Sequence, residues 1–259
     1  MKKLILLTGL LLIPSLVFGG IDFDGVDDKV AINATLNPGT SDLTVHALVY
    51  INSVGDSRTH MIYDANSTGG IDRVQLYVAD ATGLATFYFN AGAADSDIFA
   101  TSTTDVRGAW HFITGVRTSA KVGAIYIDGI SEDTDTHTGG NSSVDVTKAS
   151  VLGQDNWGYN PLSGIIADFA YWTSERTAAQ ILQLASSKLK YQALNIGAAP
   201  SVYLTMDDGV DGTAADLETC YDKSGNARDG NPDNGANNTG LAWSPESILS
   251  YIPKIIQGN

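Results

Sequence analysis

Leu43-Thr44-Val45-His46-Ala47-Leu48-Val49-Tyr50-Ile51 is the stretch that decides the fold class. Its odd positions are all apolar, whereas the even ones mix Thr44 and His46 with Leu48 and Tyr50. Successive side chains of a strand point to opposite faces, so this period of two predicts a strand with one wholly apolar face. Reading outward, similar runs rich in Val, Ile, Tyr and Phe recur at 29–33, 60–63, 73–78, 85–90, 109–117, 123–127, 149–153, 165–172 and 202–205. Clusters of Gly, Asp, Asn, Ser and Thr separate them, which is the pattern of an all-β sandwich. Asp128-Gly129, set between two such runs, signals a tight hairpin turn. Only one segment has helical period. Thr177 and Gln180 form a capping box ahead of Ile181, Leu184 and Ala185, so one short helix is expected there. The Asp/Gly/Asn-rich stretch after residue 206 carries Leu217, Cys220, Tyr221 and Trp243 as apolar anchors. Residues 207–259 are therefore read as a loop-rich segment that closes the sandwich, and 20–259 as a single domain.

Composition narrows the partners. The chain has 259 residues, 43% of them hydrophobic, and a net charge of −14. Nucleic acid and anionic lipid surfaces need a basic face, so both are excluded as expected partners. Of the 29 acidic residues only Glu132, Glu175, Glu218 and Glu246 are Glu, and an excess of Asp belongs to turns and to hard-cation ligands. Residues 1–19, MKKLILLTGLLLIPSLVFG, read as a signal peptide whose apolar run is too short to span a bilayer. A secreted, periplasmic or cell-surface protein follows, with no membrane insertion of the mature chain. Cys220 is the only cysteine, which forbids an internal disulfide and favours a small buried hydrophobe. His46, His60, His111 and His137 are scattered without zinc-ligand spacing.

Five segments resemble laminin-G-like domains of the concanavalin A-like lectin class. They are Ile21-Asp-Phe-Asp-Gly-Val-Asp-Asp-Lys-Val30, the strand from Leu43, Gly108 to Arg117 with Ile125-Tyr-Ile-Asp-Gly129, Val151 to Trp157 with Gly164 to Trp172, and Tyr203 to Asp208 with Asp222 to Gly230. The last usually opens such a domain and here stands late in the chain. The resemblance implies a two-sheet antiparallel jelly roll, a fold that hosts lectins, hydrolases and structural modules alike.

Three kinds of site are expected from these residues. The resemblance to pentraxins implies Ca²⁺ on Asp72, Asp155 and Asn156, with Asp27, Asp28 and Asp168 as alternatives for a separate ion; the other reading makes them turn residues bonded to backbone amides. Trp157 and Tyr159 lie among Asn156, Asn160, Gly158 and Pro161, where an aromatic face beside short polar groups suits a sugar ring. Trp157 could equally fold back as a lid on the core. Trp110, inside a strand pattern, is expected in the core. Paired carboxylates for glycoside hydrolysis are presented in this fold as E-x-D-x-x-E, a motif absent from the sequence. Its nearest approach, Glu132-Asp133-Thr134-Asp135, is read as solvated acid in a polar loop. The sequence thus predicts a secreted, non-catalytic binding or adhesion module for glycans, with a structural surface or virion-associated protein, bound to other proteins, as the alternative and a glycoside hydrolase third.

Overall fold

A computed structural model describes residues 19–52, 58–92, 97–137, 143–186, 192–208, 219–233 and 242–244, so the leader expected over 1–19 lies, all but Gly19, outside the described residues. Two antiparallel sheets face each other across an apolar core. The first places β10 (Ile130–Thr136), β9 (Val122–Ile127), β8 (Trp110–Arg117), β3 (Leu43–Ile51), β12 (Ser163–Trp172), β1 (Gly20–Asp24) and β15 (Ala242–Ser244) side by side, with β13 (Val202–Leu204) also paired to β12. The second runs β14 (Gly230–Asp233), β2 (Lys29–Ile32), β11 (Val151–Leu152), β4 (Thr59–Asn66), β5 (Asp72–Ala79), β6 (Leu84–Ala91) and β7 (Ile98–Asp105). The jelly-roll sandwich expected from the strand pattern is the fold.

β3 shows why. Leu43, Val45, Ala47, Val49 and Ile51 all enter the core between the sheets, beside Phe87, Phe89, Phe169 and Tyr171. Its even residue Leu48 packs on the outer face with Trp110, Phe112 and Ile165, and Tyr50 leans on the same cluster. Helix α1 (Ala178–Ser186) lies over that outer face, sending Ala185 into this cluster and Leu184 into a neighbouring one with Trp172 and Tyr203. Its start is the predicted box: the Thr177 amide donates to Gln180 Oε1 at 2.9 Å and the Gln180 amide to Thr177 Oγ1 at 3.3 Å. Asp128 and Gly129 have φ of 53° and 84°, the left-handed pair that a two-residue hairpin turn demands. Cys220 is fully buried, and burial pushes its thiol well above the ordinary range.

Two regions differ from the sequence reading. Residues 130–136, expected as a polar loop, form edge strand β10, and 98–105, not expected as a strand, form edge strand β7. The acids of β10 face the open edge of β7. Asp135 accepts the Phe99 amide at 2.8 Å, Asp133 the Thr101 amide at 2.9 Å, and Glu132 Oε2 the Thr103 and Thr104 amides at 2.8 and 2.9 Å. Glu132 and its neighbours are thus tied carboxylates rather than solvated ones. Four amides of the sheet edge thus find acceptors. At the opposite flank the two sheets are joined through backbone, by bridges from Leu204 to Asp222 and from Cys220 to Gly230.

Candidate functional site

The loop between β11 and β12 is built by its own side chains. At its start Gly153, at φ 82°, runs over the Phe23 ring so closely that a Cβ would collide with it. Asp155, 5% exposed, then clasps the loop from inside: Oδ1 accepts the amides of Trp157 at 3.0 Å and Tyr159 at 2.8 Å, and Oδ2 accepts Asn160 Nδ2 at 2.8 Å. Asn156 is tied elsewhere. Its amide and its Nδ2 both donate to Oδ2 of Asp64, at 2.8 and 3.0 Å, while Gln75 Nε2 donates to Asp64 Oδ1 at 2.8 Å. Asp64 is wholly buried on β4, and burial raises its carboxyl pKa against the opposing bonds from Asn156 and Gln75. Sequence reasoning missed this anchor; its one signal was an acid inside the apolar run Met61-Ile62-Tyr63-Asp64-Ala65.

Trp157, 38% exposed, stands at the tip with its edge against Gly70. The Arg73 guanidinium lies 4.8 Å and the Lys148 ammonium 4.7 Å from the indole ring centroid, within cation–π range. A depression of about 390 Å³ opens beside the ring, lined by Arg73, Gln75, Tyr77, Tyr88, Phe99 and Asn160 among others. All of these but Asn160 reach outward from β5, β6 and β7, whose alternate residues Val74, Leu76, Phe87 and Phe89 fill the core. A second depression of about 310 Å³, with Lys29, Gln154, Asn156 and Gly158 in its lining, has Trp157 as its other wall. Of the expected contact residues, Trp157 and Asn160 line the larger depression and Asn156 the smaller. Tyr159, 69% exposed, lines neither of them.

The residues expected to hold Ca²⁺ have different partners. Asp72, at the start of β5, is raised in pKa by burial and by the charge of Asp145, whose amide it accepts. Asp155 gives both oxygens to its own loop, and Asn156 serves Asp64. As folded, Asp155 Oδ1 has two donors and Oδ2 one, so the carboxylate expected to hold an ion also holds its own loop. Asp168, the alternative, accepts the Tyr203 hydroxyl at 3.1 Å. Carboxylates do converge between β1 and β2, where Asp24, Asp27 and Asp28 each bring an oxygen within 4.8 Å of the others and could hold a metal ion. Burial first, and then the charges of Asp24 and Asp27, push the Asp28 carboxyl up to about 7.

Comparison with known proteins adds the following. Residues 24–182 match the family model of the concanavalin A-like lectin/glucanases superfamily. A search of the curated proteins finds no match. Among solved structures, a candidate carbohydrate-binding protein of Bacteroides ovatus superposes with a TM-score of 0.61 at 15% identity, covering 90% of this chain and 60% of that one. The CBM40 module of the Ruminococcus gnavus IT-sialidase, solved with α2,3-sialyllactose, gives 0.54 at 13% identity over 65% of this chain and 96% of the module. A heptameric SAP-like pentraxin of Limulus polyphemus gives 0.51 at 18%, covering 65% and 82%. At such identities the likeness is one of fold.

Proposed function

The chain belongs to the concanavalin A-like lectin/glucanases superfamily, and from that premise we propose that it is a secreted, non-catalytic module that binds glycans bearing an acidic group in the depression beside Trp157. The observation that carries the reading is the pair of cations, Arg73 and Lys148, gathered over one indole in a chain of net charge −14. Cations held there in an acidic protein favour an anionic partner, and the planar fork of Arg73 suits a carboxylate. Gln75, Tyr77 and Asn160 supply hydrogen-bonding groups for hydroxyls in the same depression. A neutral sugar would have to displace a cation to stack on the ring. The CBM40 module solved with sialyllactose supports an acidic glycan by analogy of fold alone.

Non-catalytic action is favoured by the employment of Glu132 and Asp133, the nearest approach to a hydrolytic pair, on the β7 amides. Export rests on the leader read over residues 1–19. A glycan array, run on the wild type and on Arg73→Ala, tests the reading. Sialylated or uronate-bearing glycans should exceed neutral ones, and the variant should lose about tenfold or more in affinity, the scale of a lost charged contact. An array with no bound glycan, or one unaltered by the substitution, overturns it.

A further inference from the structure

We propose that Asp24, Asp27 and Asp28 form a site for a hard divalent cation of the size of Ca²⁺, which pins the crossover between the two sheets. The segment Asp24-Gly25-Val26-Asp27-Asp28 leaves β1 in one sheet and enters β2 in the other. Its turn is drawn tight by two bonds, the Val26 amide to Asp24 Oδ1 and the Asp24 amide to Asp28 Oδ2, both at 2.8 Å. One oxygen from each carboxylate lies within 4.8 Å of the other two. Two ligands of one ion can be no farther apart than twice the metal–oxygen distance, about 4.6–5.2 Å for Ca²⁺. The three oxygens are therefore close enough to share one such ion.

Convergent acids alone would not make a site. Asp28 supplies the second observation: it is only 1% exposed, and with Oδ2 given to the Asp24 amide, its buried Oδ1 has no hydrogen-bond partner. A carboxylate oxygen taken out of water without a donor or an ion is costly, and a cation in the turn would satisfy it. Asp24 is exposed and Asp27 half-buried, so the ion could keep water on its outer side to complete its coordination. The Arg58 guanidinium donates to the Gly25 carbonyl at 3.2 Å. Gly25 packs against Ser163, the first residue of β12 after the Trp157 loop, and Lys29 just beyond the turn lines the smaller depression. An ion here would thus brace the base of the candidate glycan loop without touching a sugar. The inference stands apart from the glycan reading.

The test uses the full mature chain stripped with EDTA and titrated with CaCl₂ or MgCl₂, followed by calorimetry and thermal melting. Ca²⁺ should bind with measurable heat and raise Tm by several degrees, with Mg²⁺ weaker. Asp27→Asn and Asp28→Asn should each weaken Ca²⁺ at least tenfold, and Asp155→Ala should leave its affinity unchanged. Should Asp28→Asn fail to fold, Asp27→Asn decides. Superimposable melts with and without Ca²⁺, a shift that survives Asp27→Asn, or one abolished by Asp155→Ala overturns the site. Because calorimetry with the ion needs no glycan, an Arg73→Ala variant that binds Ca²⁺ normally separates failure of this site from failure of the glycan reading.

Discussion

Trp157 answers the question its sequence context left open. The ring is neither a bare platform nor a core lid: it is 38% exposed, with a guanidinium and an ammonium over it. Each such contact at a partly exposed site is worth about 0.5–1 kcal/mol, too little for the fold to depend on the indole. Trp157→Ala should therefore lower folding stability by only about 1–2 kcal/mol, the sum of the two contacts, while weakening an acidic glycan by about 1–3 kcal/mol, since Arg73 and Lys148 lose the surface that holds them. Urea unfolding and binding measured on the same variant check both numbers. A loss of about 3–5 kcal/mol in stability with unchanged affinity would assign the ring to the core instead. The loop's residue types were legible in the sequence. Its anchor was not, because Asp64 acquires its role from Asn156, Gln75 and Asn66, which only the folded chain brings to it.

At the scale of elements, the strands that the sequence disclosed are those that bury a face. β3, β5, β6, β8 and β12 alternate or run apolar because the core lies under them, and the hairpin turn and capped helix carry local signals of their own. β10 carried no such signal: its Glu132, Asp133 and Asp135 are fitted to the amides of a neighbour rather than to a core, which in sequence looks like a polar loop. Although burial acts to raise it, the bonds from Thr104 and Thr103 outweigh burial and hold the Glu132 carboxyl below its ordinary 4.5. A carboxylate depressed on folding adds stability above its unfolded value and loses it as pH falls through its folded one. Glu132→Gln should cost about 1 kcal/mol at neutral pH, discounted for partial exposure, and the gap to wild type should narrow below pH 4.5. Thermal melts of both proteins from pH 7 to pH 3 measure this. A gap that does not change with pH would mean that the charge of Glu132 contributes nothing to holding the edge.

For the whole molecule, much of the pairing is non-local. Residue 44 sits opposite residue 172, residue 21 opposite 166 and residue 30 opposite 232, so long loops must close before the sheets exist. Refolding followed by stopped-flow tryptophan fluorescence should take milliseconds to seconds or longer, and a microsecond phase accounting for the full amplitude would contradict the topology. The chain order of the strands could be read in advance through the family resemblance, whereas the way the two flanks are fastened could not. One flank is joined by backbone bridges at Leu204–Asp222 and Cys220–Gly230. Across the other, side-chain carboxylates of β10 hold the amides of β7. The sandwich is in this respect a bound book, with a spine of main chain beside β13 and β14 and a clasp of side chains along β7 and β10. A substitution can undo the clasp one carboxylate at a time, whereas the bridging groups of the spine belong to the backbone and survive any side-chain truncation.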